Sequence, residues 1–197
     1  PYALSIQSGM IPSPTALKDR ALASEDEARS IPGVTNSEGA SASAGRTIVG
    51  LATSAGFCRG YTSSHYGASA SVIAGEGQGM QRDGASHGTR HFADLDSPQE
   101  IGRLAGERAV KRLDPDKLAS GAMPVVFDPR IGGSLLGHLL GAMSGPTVAR
   151  RTSFLLGHED EQIFPEAITI IDDPHRVRGL RSRPFDGEGV TTGRRAL

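Results

Sequence analysis

The segment from Val34 to Phe92 alternates small or polar residues with apolar or aromatic ones, and this alternation constrains the fold more than any other feature of the chain. A period of two places successive side chains on opposite faces of a strand, so the segment predicts β-structure rather than helix. A disordered stretch rich in serine, alanine and glycine is the alternative, but the apolar runs RTIVGLAT and ASASVIAG favour a sheet. Glycines that interrupt the pattern predict the turns of an antiparallel meander, at Gly45, Gly56, Gly75 and Gly84.

The composition predicts which kinds of side chain pack against such a sheet and which partners the chain has. Among 197 residues there is no tryptophan, there are 26 glycines, and 37% of the residues are hydrophobic, which predicts a core of small aliphatic side chains. A net charge of -1 provides no general attraction to nucleic acids or acidic membranes. The single cysteine, Cys58, cannot form an internal disulfide, which favours a reducing, cytoplasmic setting. No apolar run is long enough to cross a bilayer.

The first 33 residues predict a linker followed by one or two short helices. Ser13 precedes a proline, and Ser24 lies three residues before a glutamate; both arrangements are typical of helix starts. The helices are expected to end before Pro32.

The clearest helix signal in the chain begins at Ser97. This serine can cap the free amides, Pro98 fits the first turn, and Glu100 can reach back to the cap. Apolar residues then recur on one face as far as Leu113, so the pattern predicts a helix over 97–113.

Beyond residue 120 the sequence predicts a β-turn-α unit and a further strand. The run GAMPVVFDP has the length and boundaries of a buried strand, and EAITIIDD resembles another. Between them, a helix starting at Pro129 has apolar residues around its whole axis, which predicts burial on more than one side. Its glycine stripe costs about 1 kcal/mol per glycine relative to alanine, so we expect close approach to another backbone along Gly133, Gly137 and Gly141. The predicted fold class is therefore mixed α/β, of the α+β kind: an antiparallel meander packed by helices, then this unit and strand.

His138, inside the glycine-striped helix, is the first candidate metal ligand. A catalytic zinc site needs three protein ligands and a nearby base. Residues 131–144 contain one histidine and no acidic residue. We therefore expect a packed histidine rather than a zinc ligand.

His87 and His91 form a second, weaker candidate, because their spacing could bring both rings to one side of a helix or strand. His65 is a conceivable third ligand from a neighbouring strand. Gly88 and the surrounding alternation disfavour a helical presentation of the pair.

Three other motifs carry little chemistry. GASHG matches a nucleophile elbow literally but is not followed by a helix, and GEGQG lacks the helix N-terminus of a phosphate loop. The arginines of HRVRGLRSRP and GRRAL lack interleaved aromatic residues and lie near acidic ones, which favours a solvated loop or a subunit contact.

Most of the chain resembles the TldD/PmbA family, specifically its PmbA (TldE) branch. The resemblance runs from IPGVTNSEGASASA through DPRIGGSLLGHLLGAMSG to RTSFLLGHEDEQIFPEAITIIDDPHRVRGLRSRPFDGEGV. The most distinctive parts are GSLLGHLLGAMSG, SFL and FDGEGV. Family members are roughly twice this length, so the resemblance implies a central fragment. It divides into a linker with short helices at 1–33, a strand-rich part at 34–120, and the start of the family's C-terminal domain at 121–197.

The resemblance implies a cytoplasmic zinc metallopeptidase system that degrades or matures peptides, also called a modulator of DNA gyrase. In the TldD branch an HExxxH helix holds the ion. The helix of this chain can be aligned with that pattern on its two leucines and Gly141. Gly137 and Ala142 then take the places of the two histidines, and His138 takes the place of the glutamate, so none of the three positions matches. A shift by four residues restores one histidine only. The remaining cysteine ligand of that branch is expected beyond Leu197, and Cys58 does not correspond to it.

We therefore expect no catalytic or metal-binding residue here, and a partner that supplies the zinc ion. That partner would be a TldD-like subunit, with a homodimer as the other option, and the substrate a peptide or unfolded protein. Neither a membrane nor nucleic acid is expected as a partner. Two alternatives remain: a peptide-binding protein that adds a strand to the sheet of 34–92, and a self-sufficient metallopeptidase built on His65, His87 and His91.

Overall fold

The computed structural model of the protein describes residues 4–158 and 160–197. Residues 1–3, where the predicted linker begins, and Glu159, in the acidic stretch GHEDEQ, lie outside the described residues. The chain divides into two compact units, one formed by Pro1–Asp116 with Ile170–Leu197 and the other by Lys117–Thr169.

The first unit holds most of the regular structure. Its elements are α1 (Pro14–Ser30), β1 (Val34–Ala52), β2 (Cys58–Ala74), β3 (Gln81–Thr89), α2 (Pro98–Val110), β4 (Ile171–Asp172) and β5 (Arg195–Ala196), with short 3-10 turns at Gly77–Gly79 and Phe92–Asp94. The second unit holds α3 (Pro129–Met143) and α4 (Gly145–Ala149).

Within the described parts of the chain, every helix falls short of the length and apolar character that a membrane span requires.

The predicted meander is confirmed: β1, β2 and β3 form an antiparallel sheet in that order. Gly56 and Gly75 lie at the two connections with φ of +89° and +77°, a conformation that favours glycine. The predicted turns at Gly45 and Gly84 are wrong, because both residues lie inside strands.

These two glycines make room for cross-strand neighbours instead. A Cβ on Gly45 would collide with the ring of His65, its partner on β2. A Cβ on Gly84 would lie 2.6 Å from the carbonyl oxygen of Ala70. A glycine inside a strand commonly marks such a close approach.

One face of the sheet forms the core with the two helices. Alternate residues of β2 from Tyr66 to Ala74 are buried, as alternation in a strand requires. They join a cluster to which α1 contributes Ala28 and α2 contributes Ile101, Ala105 and Ala109. Small side chains therefore dominate the core, as the composition predicts.

Two of the three serines predicted to start helices, Ser13 and Ser97, cap a helix. The hydroxyl of Ser13 accepts a hydrogen bond from the amide of Ala16 at 3.2 Å, and that of Ser97 accepts one from Glu100 at 3.1 Å. Ser24 does not start a second helix: it is buried within α1 and donates to the carbonyl of Arg20 at 3.1 Å. The N-terminal region therefore contains one long helix.

The segment before α1 is bound to the sheet rather than a free linker. Leu4 and Ile6 are buried, and the carbonyl of Ile6 accepts a hydrogen bond from the amide of Ser64 at 2.9 Å. The amide of Ser8 donates to the Ser64 hydroxyl at 2.7 Å. The sequence does not predict this packing, because the segment is held by residues that are distant from it along the chain.

The strand predicted in GAMPVVFDP is wrong, because residues 121–128 belong to no strand, Pro129 begins α3 and Val126 is 96% exposed. The strand predicted in EAITIIDD shrinks to β4, which pairs with β5 through Ile171 and Asp172. The physical reason is common to both: a strand needs a neighbour for its backbone groups, and the described residues of these segments provide little or none.

Helix α3 is also less buried than its apolar character predicts. Leu139 and Ala142 are buried, but the larger apolar side chains are 42–52% exposed, at Ile131, Leu135, Leu136, Leu140 and Met143. A Cβ on any glycine of the stripe would meet nothing within 4 Å, so the predicted close approach to another backbone is wrong among the described residues. The helix itself starts as predicted, with Asp128 accepting a hydrogen bond from the Arg130 amide at 2.8 Å.

Candidate functional site

Helix α3 carries the three positions that align with the metal-binding pattern. Gly137 and His138 lie in its middle and are exposed, whereas Ala142 is buried one turn further on. A helix places residues four positions apart on the same side, so His138 and Ala142 lie on neighbouring turns of one face. The only metal-ligating side chain among these three positions is one solvent-exposed imidazole.

This donor set does not fit a catalytic zinc ion. Zinc in such sites takes three protein ligands from histidine, cysteine or carboxylate side chains, and Gly137 and Ala142 offer none. Across the described residues there is also no group of three or more such side chains that could hold a metal ion. No chemical step through a metal can be assigned to these residues.

The three histidines considered as an alternative ligand set are not brought together. His87 lies opposite the buried Ala68, on the helix-covered face of the sheet, whereas His65 lies opposite Gly45 on the other face. His87 Nδ1 lies 3.0 Å from Asp96 Oδ1. His91 lies beyond β3, and its Nε2 is 2.6 Å from the carbonyl oxygen of Ser5. Each ring therefore has a separate structural environment.

A small aromatic cluster anchors the C-terminal loop on the sheet. Phe185 is buried, and its ring makes edge-to-face contacts with Phe57 at 5.0 Å and with Tyr61 at 5.4 Å between centroids. Gly189 lies so close to Phe57 that an added Cβ would be 2.8 Å from the ring. The FDGEGV motif is thus a turn that packs against the β1–β2 hairpin.

Asp186 closes this turn. Its Oδ1 accepts hydrogen bonds from the amides of Val190 at 2.8 Å and Glu188 at 2.9 Å. These bonds hold the pKa of the Asp186 carboxyl below its ordinary value of 3.8, because they stabilise the charged form.

The lowered pKa predicts a pH dependence of the turn. A folded-state pKa below the unfolded value adds stability that is complete above about pH 3.8 and is lost as the pH falls through the folded pKa. We expect the amide resonances of Glu188 and Val190 to shift together with titration of the Asp186 carboxyl, measured by NMR. Asp186→Asn keeps an acceptor oxygen without the charge, so these two amides should lose that titration step. An unchanged titration in the variant would contradict this assignment.

The arginine-rich loop is partly a set of internal contacts, not only a solvated segment. Arg178 pairs with Asp94 at 2.7 Å, and its amide donates to the carbonyl of Leu4 at 2.8 Å. Arg90 donates to the carbonyls of Ser64 at 3.0 Å, Gly179 at 3.4 Å and Leu180. Arg90 and Ser64 thereby join β2, the N-terminal segment and the loop. No local pattern marks either residue, since all of these partners are distant in sequence.

Two family models match the chain: the PmbA/TldA metallopeptidase central domain over residues 11–113 and the PmbA/TldA metallopeptidase C-terminal domain over residues 120–197. These matches place the chain among metallopeptidase-related proteins. It belongs to the PmbA/TldD family, as the sequence resemblance predicts.

Curated relatives include the metalloprotease PmbA of Escherichia coli O157:H7, 39% identical over 83% of this chain and 36% of the relative. A PmbA homologue of Haemophilus influenzae is 35% identical over the same shares of the two chains. Among solved structures, a proposed modulator of DNA gyrase from Bacteroides thetaiotaomicron is 28% identical, with a TM-score of 0.91 over 98% of this chain and 45% of that one. TldE of Thermococcus kodakarensis, 23% identical, shares the fold with a TM-score of 0.70 over 95% of this chain and 42% of that one. The chain thus spans little more than a third of these curated relatives.

Proposed function

We propose that the protein is a subunit of a cytoplasmic metallopeptidase system that degrades or matures peptides, and that the catalytic zinc ion belongs to a TldD-like partner subunit. The family and the metalloprotease names of the curated relatives support the peptidase part. The single observation that carries the division of labour is the donor chemistry of α3, where Gly137, His138 and Ala142 cannot complete a zinc site.

In this proposal α3 contributes a surface rather than a catalyst. Its exposed leucines form an apolar patch whose contact with water is unfavourable, and apolar patches of this kind favour contacts with other proteins. The partner would supply the ion that lowers the pKa of the attacking water and polarises the scissile carbonyl. The residues of this chain would bind the peptide and hold the partner.

Metal content and partner dependence test the proposal together. We expect the purified protein to hold no stoichiometric zinc by elemental analysis, and the protein with a TldD homologue to cleave an unfolded peptide in a chelator-sensitive manner that requires both chains. His138→Ala should change neither zinc content nor cleavage by the pair. Replacing the glutamate of the partner's HExxxH with glutamine is the matched control and should abolish cleavage. Stoichiometric zinc on this chain alone, lost in His138→Ala, would overturn the assignment.

A peptide-binding role without peptidase function is the second candidate, and the sheet favours it. In the described sheet β1 is an edge strand of 19 residues that pairs only with β2. An edge strand presents free backbone donors and acceptors to which an extended peptide can add. Peptide binding by this chain, combined with cleavage by the TldD homologue that is equally fast without it, would favour this second function.

A further inference from the structure

A cationic cleft lies between the second strand and the C-terminal loop of the first unit. Its volume is about 490 Å³, which suits a small ligand or one or two residues of a peptide. Three of its lining residues are arginines and none is acidic; the lining residues are Tyr61, Arg90, Leu180, Arg181, Ser182 and Arg183. We call this the arginine cleft.

The guanidinium group of Arg90 is held in place and has no acidic partner within ion-pair distance among the described residues. Arg90 is held by the carbonyl oxygens of Ser64, Gly179 and Leu180. Carbonyl oxygens orient a guanidinium group but do not neutralise it, and arginine stays protonated in proteins. Three bonds also leave two of its five N–H donors without a protein partner among these contacts.

The other two arginines extend from a backbone that is also held. Ser182, between Arg181 and Arg183, is buried, and its hydroxyl donates to the carbonyl of Arg176 at 2.7 Å. The amide of Arg183 donates to the carbonyl of Pro174 at 3.0 Å. Tyr61, another lining residue, is held by an edge-to-face contact with the ring of Phe185. The cleft is therefore built by packed and hydrogen-bonded residues.

Arg178, Arg194 and Arg195 have acidic partners, whereas Arg176, Arg181 and Arg183 have none within ion-pair distance among the described residues. Arg178 pairs with Asp94 at 2.7 Å, Arg195 with Asp172 at 3.3 Å and Arg194 with Asp173 at 3.8 Å.

Asp186 offsets the charge of Arg183 only in part. The amides of Val190 and Glu188 bind the Asp186 carboxylate without neutralising it, but this is one negative charge beside the three arginines of the cleft. Asp172 and Asp173, which line the adjoining cleft with Arg181 and Arg183, are paired with Arg195 and Arg194. The cleft thus carries net positive charge that attracts an anion.

We propose that the arginine cleft binds a carboxylate of a peptide, either its C-terminal carboxylate or that of an acidic side chain. Guanidinium groups match the geometry of a carboxylate and form charge-assisted hydrogen bonds with it. Leu180 and the ring of Tyr61 provide an apolar border for the adjoining part of the peptide. The inference rests on the proposed peptide-directed function and adds a preference for acidic or free-ended peptides.

Fluorescence anisotropy with a rhodamine-labelled Gly-Ser-Gly-Ser-Glu-Glu peptide tests this on the whole chain, without a partner and without cleavage. The double variant Arg181→Gln, Arg183→Gln should weaken binding by about tenfold or more, since each charge-assisted bond is worth more than a neutral one. Arg150→Gln, Arg151→Gln is the matched control: it removes the same charge from two exposed arginines of the other unit, and binding should change less than about twofold. An equal loss in both double variants, or no loss in either, would overturn the proposal.

Two changes in the probe separate the sources of the carboxylate. If C-terminal amidation removes binding, the cleft binds the C-terminal carboxylate. If replacing both glutamates with glutamine removes binding, the cleft binds the carboxylates of acidic side chains. Undiminished binding of a probe with both changes would refute the proposal, as would displacement by inorganic phosphate at the concentration of the peptide. Failure of the arginine cleft to bind the peptide would not contradict the proposed function, because zinc content and partner dependence are measured independently of these arginines.

Discussion

Replacing Gly102 with leucine is expected to destabilise the first unit by about 3 kcal/mol, because α1 and α2 touch at this residue. A Cβ on Gly102 would collide with the carbonyl oxygen of Ser24 and lie 2.6 Å from the Cβ of Glu27 and 2.9 Å from the amide nitrogen of Ala28. These are mostly backbone or near-backbone atoms, which cannot move aside as the end of a flexible side chain can. The two helices must separate to admit any side chain.

The measurement is denaturant unfolding followed by tyrosine fluorescence, since Tyr61 and Tyr66 both lie in this unit. Gly102→Ala should give a smaller loss in the same direction. Gly50→Leu is the control within the same unit, because Gly50 is exposed on β1 and a Cβ there meets nothing within 4 Å; its free energy of unfolding should change by no more than about 0.5 kcal/mol. Equal midpoints for Gly102→Leu and the native chain would contradict the close helix contact.

The elements that sequence predicts well depend on chemistry close along the chain. Ser97 caps an amide three residues later, and Gly56 and Gly75 supply turns with positive φ. The alternation in β2 and β3 similarly places the buried face of the sheet. In each case, the interaction that decides the structure lies within a few residues or repeats with the period of a strand.

The predictions that fail depend on what lies across space. Gly45 has the composition signal of a turn, but its function is to accommodate His65 from the adjacent strand. Residues 121–129 have the apolar run of a strand, but a strand forms only when a neighbour takes its hydrogen bonds. A periodic pattern cannot tell whether that neighbour is present.

The candidate site, too, is predicted from the sequence only where neighbouring residues along the chain determine it. The mismatch of Gly137, His138 and Ala142 with a zinc-binding pattern can be read from the sequence, because it concerns residue types on one helix. The arginine cleft cannot, because Tyr61, Arg90 and Arg181 come together only when the C-terminal loop packs on β2. From the sequence, Arg181 and Arg183 are predicted to lie in a solvated loop or a subunit contact, and no role is predicted for Arg90. Their position in the wall of the cleft distinguishes Arg181 and Arg183 from the other arginines of the loop.

Ile101→Ala is expected to have a comparably large effect for the opposite reason, through a cavity rather than a collision. Ile101 is 1% exposed and lies in the cluster that joins α2 to the sheet and to α1. Because the surrounding core is built largely from alanine, few large side chains are available to collapse into the space left behind. Such truncations cost about 2–5 kcal/mol, whereas Ile101→Val should cost about 1 kcal/mol.

Ile48→Ala is the matched control, since Ile48 is 79% exposed on β1 and its truncation should change stability by no more than about 0.5 kcal/mol. Unfolding of the three variants, again followed by tyrosine fluorescence, should rank Ile101→Ala as the least stable by a wide margin. If Ile101→Ala and Ile48→Ala unfolded at the same denaturant concentration, α2 would not pack on the sheet through this face. A separate loss of peptide binding in Ile101→Ala, under conditions where it stays folded, would link this core to the arginine cleft on the same unit.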